Sequence, residues 1–353
     1  MEKAALQFMT ASAPQSTELY GDGHINRTYL VICEKGERYI LQRISTAAFH
    51  DIPGLMENIS GICAALDKEG SDPRSCLHLV PVSDGSLWLT DEQGEYWRMY
   101  EFISDSMCLQ EAETPSDFYE SAVAFGRFQR MLRDYPSSTL HETIPDFHNT
   151  IDRYRIFREA IAEDTCGRAA CVQKEIAFFL DREEAGGRLQ RMREKGELPV
   201  RVTHNDTKLN NVLLDQSTRK ALCVIDLDTV MPGLVAYDFG DAIRFGASTG
   251  AEDEKDLSKI RLDLGLFETF ASGFIPECGG LTDLEISTLP LGAMIMTLEN
   301  GVRFLTDYLK GDVYYSIARP EHNLDRARTQ IRLVEDMERK WEDMNAVIRK
   351  FIS

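Results

Sequence analysis

The sequence predicts an α+β protein built from two unequal lobes, and three observations support this class. The 353 residues exceed what one hydrophobic core usually serves, because chains tend to divide into domains beyond about 250–300 residues. Residues 1–103 carry mostly strand patterns, whereas residues 104–353 carry mostly helical patterns. We therefore expect a small lobe at 1–103, with a five-stranded antiparallel sheet and one helix, and a large, mostly helical lobe at 104–353 that contains a β-hairpin.

Five segments in the first hundred residues have strand patterns, and the turns between them fit an antiparallel meander. A helix is predicted between the third and fourth strands, because Leu55, Ile59, Ile62 and Leu66 recur at three- and four-residue spacing. The predicted strands cover residues 17–20, 28–32, 39–44, 86–90 and 96–103, and the predicted helix covers residues 52–66.

After Ser104 the pattern changes to long helices. Thr114 and Pro115 form a typical helix start, because threonine caps the first turn and proline fits its first position. The predicted helices cover residues 114–132, 151–162, 170–195, 256–273, 283–308 and 323–350. Short strand patterns interrupt them at residues 200–203, 212–214 and 221–225. Functional side chains are expected near these strands, since loops on a rigid scaffold often carry them.

Charge and composition exclude some classes of function. A net charge of −19 argues against a nucleic-acid partner, because binding to phosphate backbones needs a surplus of lysine and arginine. There is no run of eighteen apolar residues, and the N-terminal apolar stretch is too short for a signal peptide, so we expect no membrane partner and a cytoplasmic location. The eight cysteines lack metal-binding spacing and are expected to be mostly buried free thiols.

The most informative stretch surrounds the predicted hairpin. It contains H-x-D-x-x-x-x-N at residues 204–211 and I-D-L-D at residues 225–228. Phosphoryl transfer needs a carboxylate beside the attacking hydroxyl and oxygen ligands for Mg²⁺. We therefore expect Asp206 to be the catalytic base, and Asn211 and Asp226 to be the Mg²⁺ ligands. The strand ends of an antiparallel hairpin lie close together, so the two motifs are expected to meet.

Two further residues of this stretch have less certain roles. His204 is expected to pack inside its loop and to hydrogen-bond the neighbouring backbone. Lys208 follows the predicted base by two residues, and it either contacts the transferred phosphoryl group or is simply solvated.

A glycine-containing turn in the small lobe is a candidate nucleotide contact. Gly21 and Gly23 lie between two predicted strands, where glycine allows backbone amides to close over phosphates. An empty hairpin turn would have the same sequence. The next strand carries Gln42 and Arg43 where a kinase would place a phosphate-binding lysine, so the sequence departs from the kinase pattern there.

With these motifs, the chain resembles the aminoglycoside phosphotransferase and choline kinase superfamily, which has a protein-kinase-like fold. Within that superfamily the chain is most similar to the N-acetylhexosamine 1-kinases, and the similar strings are spread over nearly its whole length. They are residues 20–26, 39–42, 201–211, 225–233, 238–241, 244–248 and 320–323.

The resemblance implies a bilobal kinase that binds ATP and Mg²⁺ between its lobes. The segment from Glu101 to Ile103 matches the hinge that binds adenine through backbone groups, and Gly21, Gly23 and Gln42 complete the implied cofactor site.

The resemblance also implies a sugar site that lies mainly in the large lobe. A sugar has hydroxyl groups at its edge and C–H groups on its face, so an aromatic ring and several polar groups suit it. The residues implied by the resemblance are His24, Asp206, Phe245, Arg303 and Tyr314.

Three hypotheses about function follow. The first is phosphorylation of the anomeric hydroxyl of N-acetylglucosamine or N-acetylgalactosamine, with the sugar and ATP as the only partners. The second is a kinase of the same fold with another acceptor, such as choline, homoserine, methylthioribose or an aminoglycoside. The third is an inactive, nucleotide-binding regulatory protein, which the presence of Asp206, Asn211 and Asp226 argues against.

Overall fold

A computed structural model describes residues 1–21, 25–70 and 72–352. Strands and helices are numbered separately in chain order. The strands are β1 (Pro14–Leu19), β2 (Arg27–Cys33), β3 (Arg38–Ile44), β4 (Leu89–Thr90), β5 (Tyr96–Glu101), β6 (Ser106–Cys108), β7 (Arg201–Thr203), β8 (Val212–Asp215), β9 (Ala221–Val224) and β10 (Met231–Gly233).

Helices supply most of the chain after residue 114. The helices are α1 (Glu2–Ala5), α2 (Ile52–Glu69), α3 (Pro115–Met131), α4 (Thr150–Glu163), α5 (Gln173–Leu180), α6 (Glu183–Gly186), α7 (Arg188–Glu194), α8 (Val235–Gly246), α9 (Leu264–Cys278), α10 (Asp283–Lys310), α11 (His322–Arg339) and α12 (Trp341–Arg349).

The five predicted strands of the first hundred residues form one antiparallel sheet in the order β1-β2-β3-β5-β4. The α+β class and this sheet are therefore confirmed. In the β3–β5 register Gln42 lies opposite Arg98. Helix α2 is capped by Asp51, whose carboxylate accepts a hydrogen bond from Gly54 N at 3.0 Å, and the apolar face of the helix joins the core.

The predicted β-hairpin is formed by β8 and β9, and β6 adds a third strand to it. A second small sheet pairs β7 with β10. The sequence patterns do not predict β6 or β10, because each has only three residues and Pro232 in β10 is disfavoured in strands. The division of the chain at residue 103 stays a prediction.

Helix α10 is the centre of the helical part, where it packs against α4, α8 and α11. It crosses α8 at very short range: a Cβ added to Gly292 would lie 2.2 Å from Ala236 O, and one added to Gly240 would lie 2.4 Å from Gly292 O. Only glycine fits at such a backbone crossing. The sequence analysis does not predict helix α8, whose residues are nearly all buried and whose polar stripe of Asp238, Asp241 and Arg244 faces the protein interior and not solvent.

Three predicted helices need correction. The segment 170–195 contains three short helices, since Gly186 and Gly187 have low helix propensity. The helix predicted at 256–273 begins only at Leu264, where the Asp263 carboxylate caps Leu266 N at 3.0 Å. The helix predicted at 323–350 breaks at Lys340. Within the described residues, every helix is too short or too polar to cross a membrane.

Candidate active site

The β8–β9 hairpin brings two polar loops side by side. Val212 pairs with Val224 across the ribbon, and Ile225 N donates a hydrogen bond to Asn211 O at 2.9 Å. Asn211 and Asp226 are therefore neighbours at one end of the hairpin. This is the proximity that the two sequence motifs predict.

Two residues beside this ribbon have left-handed backbone conformations. Asn205 has φ = +64° and Asp226 has φ = +59°. This region is unfavourable for residues with a side chain, and asparagine and aspartate tolerate it best. Strained conformations persist at functional sites when the surrounding contacts hold them in place.

Asp238 of helix α8 supplies those contacts for the 204–211 loop. Its buried carboxylate accepts hydrogen bonds from His204 N at 3.0 Å, Asn205 N at 2.8 Å and the Gln129 side chain at 2.6 Å. Thr207 Oγ1 also donates to Asp238 O at 2.5 Å. One aspartate thus fixes the backbone on the N-terminal side of Asp206.

His204 joins the 204–211 loop to the end of β9. Its Nε2 lies 2.9 Å from Ile225 O and donates to it, because Nδ1 accepts the Asp206 N–H at 3.3 Å. The ring is fully buried against the edges of Phe125 and Phe128. These contacts describe the structural role expected for His204.

The side chain of Asp206 points into the space between the two loops, where it is held on both sides. Lys208 Nζ lies 2.8 Å from Asp206 Oδ1, and Asn211 Nδ2 donates to Oδ2 at 3.0 Å. Burial raises the pKa of Asp206, but Lys208 and the bond from Asn211 outweigh burial and lower the pKa below its usual value. Asp206 is therefore ionised at neutral pH.

Asn211 and Asp226 have the features of metal ligands. The side-chain nitrogen of Asn211, Nδ2, donates to Asp206 O at 2.8 Å and also to Asp206 Oδ2. The side-chain oxygen of Asn211, Oδ1, has no hydrogen-bond partner among the described residues. Although Asp226 is exposed to solvent, partial desolvation together with the charges of Asp228 and Asp206 raises the pKa of its carboxyl to about 7. A crowded carboxylate with no hydrogen-bond donor among the described residues suits a divalent cation, so these residues fit Mg²⁺.

Asp228 is occupied by another side chain. The two terminal guanidinium nitrogens of Arg98 each contact one oxygen of the Asp228 carboxylate, and the Nη2–Oδ2 distance is 2.8 Å. Arg98 Nε donates to Gln42 Oε1 at 2.9 Å, and Gln42 Nε2 donates to Thr28 at 3.1 Å. Both polar ends of Gln42, a predicted cofactor contact, are thus already engaged. Sequence reasoning missed Arg98, because only the β3–β5 pairing places it beside the position of the missing lysine.

The predicted adenine-binding segment follows β5. Glu101 N donates to His78 O at 2.9 Å, which turns the Glu101 peptide groups away from β3, and Ile103 O accepts a bond from Ser106 at 2.7 Å. Gly21 has φ = +75°, a conformation that favours glycine. The other two residues predicted for this side of the site, Gly23 and His24, lie outside the described residues.

Phe245 lines a cavity of about 750 Å³ beside the 204–211 loop. An ion pair links the cavity wall to that loop. Arg244, which lines the cavity, contacts Asp241 Oδ1 through its Nε at 3.0 Å, and Asp241 Oδ2 accepts a hydrogen bond from Thr207 N at 3.1 Å. The other lining residues come mainly from residues 111–118 at the start of α3, the segment 248–253 after α8, and helix α11.

Arg303 and Tyr314 lie in an aromatic group that does not line this cavity but is linked to it, because Arg326 lines the cavity and lies 5.6 Å from the ring centre of Phe304, which contacts Tyr315. The guanidinium of Arg303 lies 5.3 Å from the Phe147 ring centre and 5.7 Å from that of Tyr315. Tyr314 is 67% exposed and contacts Tyr315 edge-on at 4.8 Å. Among the described residues, no hydrogen bond or ion pair joins Arg303 or Tyr314 to Asp206.

Known structures with this architecture include several small-molecule kinases. A microcompartment-associated aminopropanol kinase superposes with a TM-score of 0.67 and 20% sequence identity, covering 98% of this chain and 97% of that one. An aminoglycoside phosphotransferase from Alicyclobacillus acidocaldarius gives 0.65 and 13%, covering 99% and 95%. The amicoumacin kinase hAmiN, in complex with AMP-PNP, Ca²⁺ and Ami, gives a TM-score of 0.63 and 16% identity, covering 94% of this chain and 91% of that one.

These similarities confirm the protein-kinase-like fold. Residues 16–264 also match the phosphotransferase enzyme family known as APH, and this stretch includes the five-stranded sheet, the β8–β9 hairpin and both polar loops. The match spans more than half of the chain. The chain therefore belongs to the phosphotransferase enzyme family.

Proposed function

We propose that this phosphotransferase uses ATP and Mg²⁺ to phosphorylate the anomeric hydroxyl of an N-acetylhexosamine. The observation that carries the phosphotransfer chemistry is the convergence of Asp206, Asn211 and Asp226 at the end of one hairpin. The resemblance of many short strings to the N-acetylhexosamine 1-kinases supports the choice of acceptor.

In the proposed reaction, Asp206 accepts the hydrogen bond and then the proton of the attacking hydroxyl. A new bond forms between that oxygen and the γ-phosphorus, the bond from the γ-phosphorus to the β–γ bridging oxygen breaks, and ADP leaves. Lys208 lies close enough to Asp206 to offset developing negative charge. Asn211 and Asp226 would hold Mg²⁺, which neutralises phosphate charge when bound.

The charges of the cavity next to Phe245 favour an uncharged acceptor. Glu252 pairs with Arg244 at 2.7 Å, Asp253 with His322 at 3.0 Å, and Glu113 with Arg219 at 3.0 Å. These three of the five lining carboxylates already have basic partners, which a polycationic aminoglycoside would have to displace; only Glu111 and Asp263 have no ion-pair partner among the described residues. A neutral sugar can instead bind through hydroxyl groups and ring stacking.

The proposed division of labour follows the chain. We assign nucleotide binding to residues 1–103, with adenine at the segment from Glu101 to Ile103 and phosphates near Gly21. Residues 104–353 supply the base, the metal ligands and the acceptor site.

A panel of acceptors tests the proposal. ATP consumption is measured with N-acetylglucosamine, N-acetylgalactosamine, the parent hexoses, aminopropanol, ethanolamine, choline and an aminoglycoside, and the product is examined by phosphorus NMR. We expect turnover with the N-acetylhexosamines and a phosphate on the anomeric carbon. Turnover with an amino alcohol alone would replace the sugar assignment while retaining the kinase. No turnover of any acceptor, with intact nucleotide binding, would contradict the proposed reaction.

Arg303 tests the acceptor site separately. Replacing it with alanine removes a cation beside two aromatic rings, and we expect the KM for the sugar to rise about tenfold or more while the KM for ATP stays within about twofold. Arg182→Ala, at a bidentate ion pair with Glu338 on the α5–α11 side, is the matched control. An unchanged KM for the sugar would remove Arg303 from the site.

A further inference from the structure

Asp228 is the second acidic residue of the I-D-L-D segment, and both its oxygens are engaged by donors attached to the five-stranded sheet. Arg98 on β5 contacts both oxygens, and Asn26, which precedes β2, donates to Oδ2 at 2.5 Å. The Asp228 side chain is 3% exposed and that of Arg98 is 1% exposed. A carboxylate enclosed in this way has no free oxygen for a metal ion.

Arg98 is itself held by the sheet. Its third donor, Nε, is taken by Gln42 Oε1 across the β3–β5 pair, and Gln42 is fixed in turn by Thr28 on β2. Three adjacent strands therefore determine where the guanidinium lies. To contact a nucleotide phosphate, Arg98 would have to leave a buried bidentate partner. Its position suits holding Asp228 rather than binding phosphate.

The 226–229 turn that carries Asp228 is tied just as firmly to the 204–211 loop. Asp228 O accepts a hydrogen bond from Thr143 Oγ1 at 2.9 Å. Thr229 Oγ1 donates to His204 O at 2.7 Å, and Thr229 O accepts the Asn205 amide at 2.9 Å. A shift of Asp228 would therefore be transmitted to both motifs of the site.

We propose that Arg98 is a positioning residue for phosphoryl transfer, which fixes the 226–229 turn on the five-stranded sheet and so aligns Asp226 with the nucleotide-binding side of the cleft. The guanidinium of Arg98 thus lies next to the position where a kinase would carry its phosphate-binding lysine, but it binds Asp228 and not the nucleotide phosphates. Asp228 is its anchor and not a third metal ligand. The inference depends on the phosphotransferase reaction of the family and not on the identity of the acceptor.

The test compares Arg98→Met, Arg98→Lys and Asn26→Ala with the wild-type chain. The first readout is the Mg²⁺ dependence of binding of a fluorescent ATP analogue, which needs no acceptor. The second is kcat with the acceptor that gives turnover in the panel. We expect Arg98→Met to weaken Mg²⁺-dependent nucleotide binding about 10- to 100-fold, the usual effect of losing an outer partner of a metal site. The KM for the acceptor should stay within about twofold.

The conservative variants separate positioning from simple stability. Lysine keeps the charge but offers no bidentate fork, so Arg98→Lys should recover part of the binding. Asn26→Ala keeps the ion pair and removes one donor, so its effect should be smaller than that of Arg98→Met. Arg182→Met breaks the bidentate pair with Glu338 away from the site and should leave the Mg²⁺ dependence unchanged.

Two results would overturn the proposal. One is a folded Arg98→Met chain with wild-type Mg²⁺ dependence and wild-type kcat. The other is an equal shift in Arg182→Met, which would attribute the effect to general destabilisation. If Arg98→Met does not fold, Arg98→Lys and Asn26→Ala decide the question, and wild-type behaviour of both would reject the role. Failure of every acceptor in the panel would leave the nucleotide-binding readout intact.

Discussion

At the scale of single residues, the environment of Asp206 differs from that of Asp226. Lys208 and Asn211 keep Asp206 ionised and fixed, whereas Asp226 has two neighbouring carboxylates and, within the part of the chain that the structure describes, no hydrogen-bond donor. The opposite pKa shifts of the two carboxylates fit different roles. Asp206 is ionised and can accept a proton, whereas the crowded carboxylate of Asp226 is suited to binding a cation.

Asp206→Asn is expected to lower kcat by at least about a thousandfold while nearly preserving the fold. The amide keeps the shape of the side chain but cannot take the proton of the attacking hydroxyl. Steady-state kinetics measure the effect, and circular dichroism with the thermal midpoint checks the fold. Wild-type kcat in this variant would remove Asp206 from the role of base.

Asp226→Asn is expected to stabilise the metal-free protein at alkaline pH. A carboxyl whose pKa is raised to about 7 binds its proton more tightly in the folded state than in the unfolded state, so stability falls as pH rises from about 4 to about 7. The variant avoids this loss, and because Asp226 is exposed and solvent screens part of the effect, its thermal midpoint at pH 8 in a chelator should exceed that of the wild type by only about 1–2 °C.

The same comparison at pH 5 supplies the control for Asp226. There the wild-type carboxyl is already protonated, so the difference between the two chains should shrink. Added Mg²⁺ with nucleotide should reverse the order at pH 8, because only the wild type keeps a negatively charged ligand at this position. An equal difference at pH 5 and pH 8 would show that the charge of Asp226 is not the cause.

At the scale of elements, helix α8 positions the chemistry although it contributes neither the base nor a predicted metal ligand. Asp238 holds the 204–211 loop, and Asp241 holds Thr207 while pairing with Arg244. The depth at which these carboxylates reach the loop depends on the close crossing of α8 with α10. Helix packing and loop geometry are therefore linked.

Gly292→Ala is expected to destabilise the protein by about 1–3 kcal/mol and to lower kcat in the molecules that remain folded. The added Cβ would lie 2.2 Å from Ala236 O, a backbone atom that can move only with α8. Chemical denaturation and kinetics below the unfolding transition measure the two effects. Gly265→Ala is the control, since Gly265 is exposed and an added Cβ would meet only the Asp263 carboxylate.

Local sequence patterns predict some of these elements and miss others for physical reasons. The meander of five strands is predictable because its strands are rich in β-branched, aromatic and other apolar residues and the turns between them contain glycine and charged residues. The proximity of Asn211 to Asp226 is predictable because a short hairpin brings the outer ends of its two strands together. Helix α8 and the role of Arg98 are not predictable in this way, because both depend on tertiary contacts between segments far apart in the chain.

At the scale of the whole molecule, net charge opposes the proposed cofactor. The chain carries −19 at neutral pH, and ATP is also an anion. Long-range repulsion slows the encounter of like charges and is screened by salt within about 10 Å at 0.1 M. Local cations such as Lys208 act only after the nucleotide has entered the cleft.

The KM for ATP is therefore expected to fall as ionic strength rises from about 20 to about 150 mM. The change should be modest, about two- to threefold, since short-range contacts in the cleft are screened at the same time. The KM for a neutral sugar, measured in the same salt series, is the control and should stay constant. A KM for ATP that rises steadily with salt would indicate that local positive potential dominates over net charge.

The cavity beside Phe245 has walls drawn mainly from residues 111–118, the end of α8 with the following segment 248–253, and α11, whereas Asp206 lies on the loop that Asp238 holds and that contributes only Leu209 to the cavity. If the cavity is the acceptor site that we propose, recognition and chemistry lie largely on different parts of the chain. Substitutions in the walls could alter which molecule is accepted while the phosphate-transfer apparatus remains intact. Enzymes with this arrangement can therefore evolve new acceptor specificities while the phosphate-transfer reaction stays the same, and the same separation is useful in protein engineering.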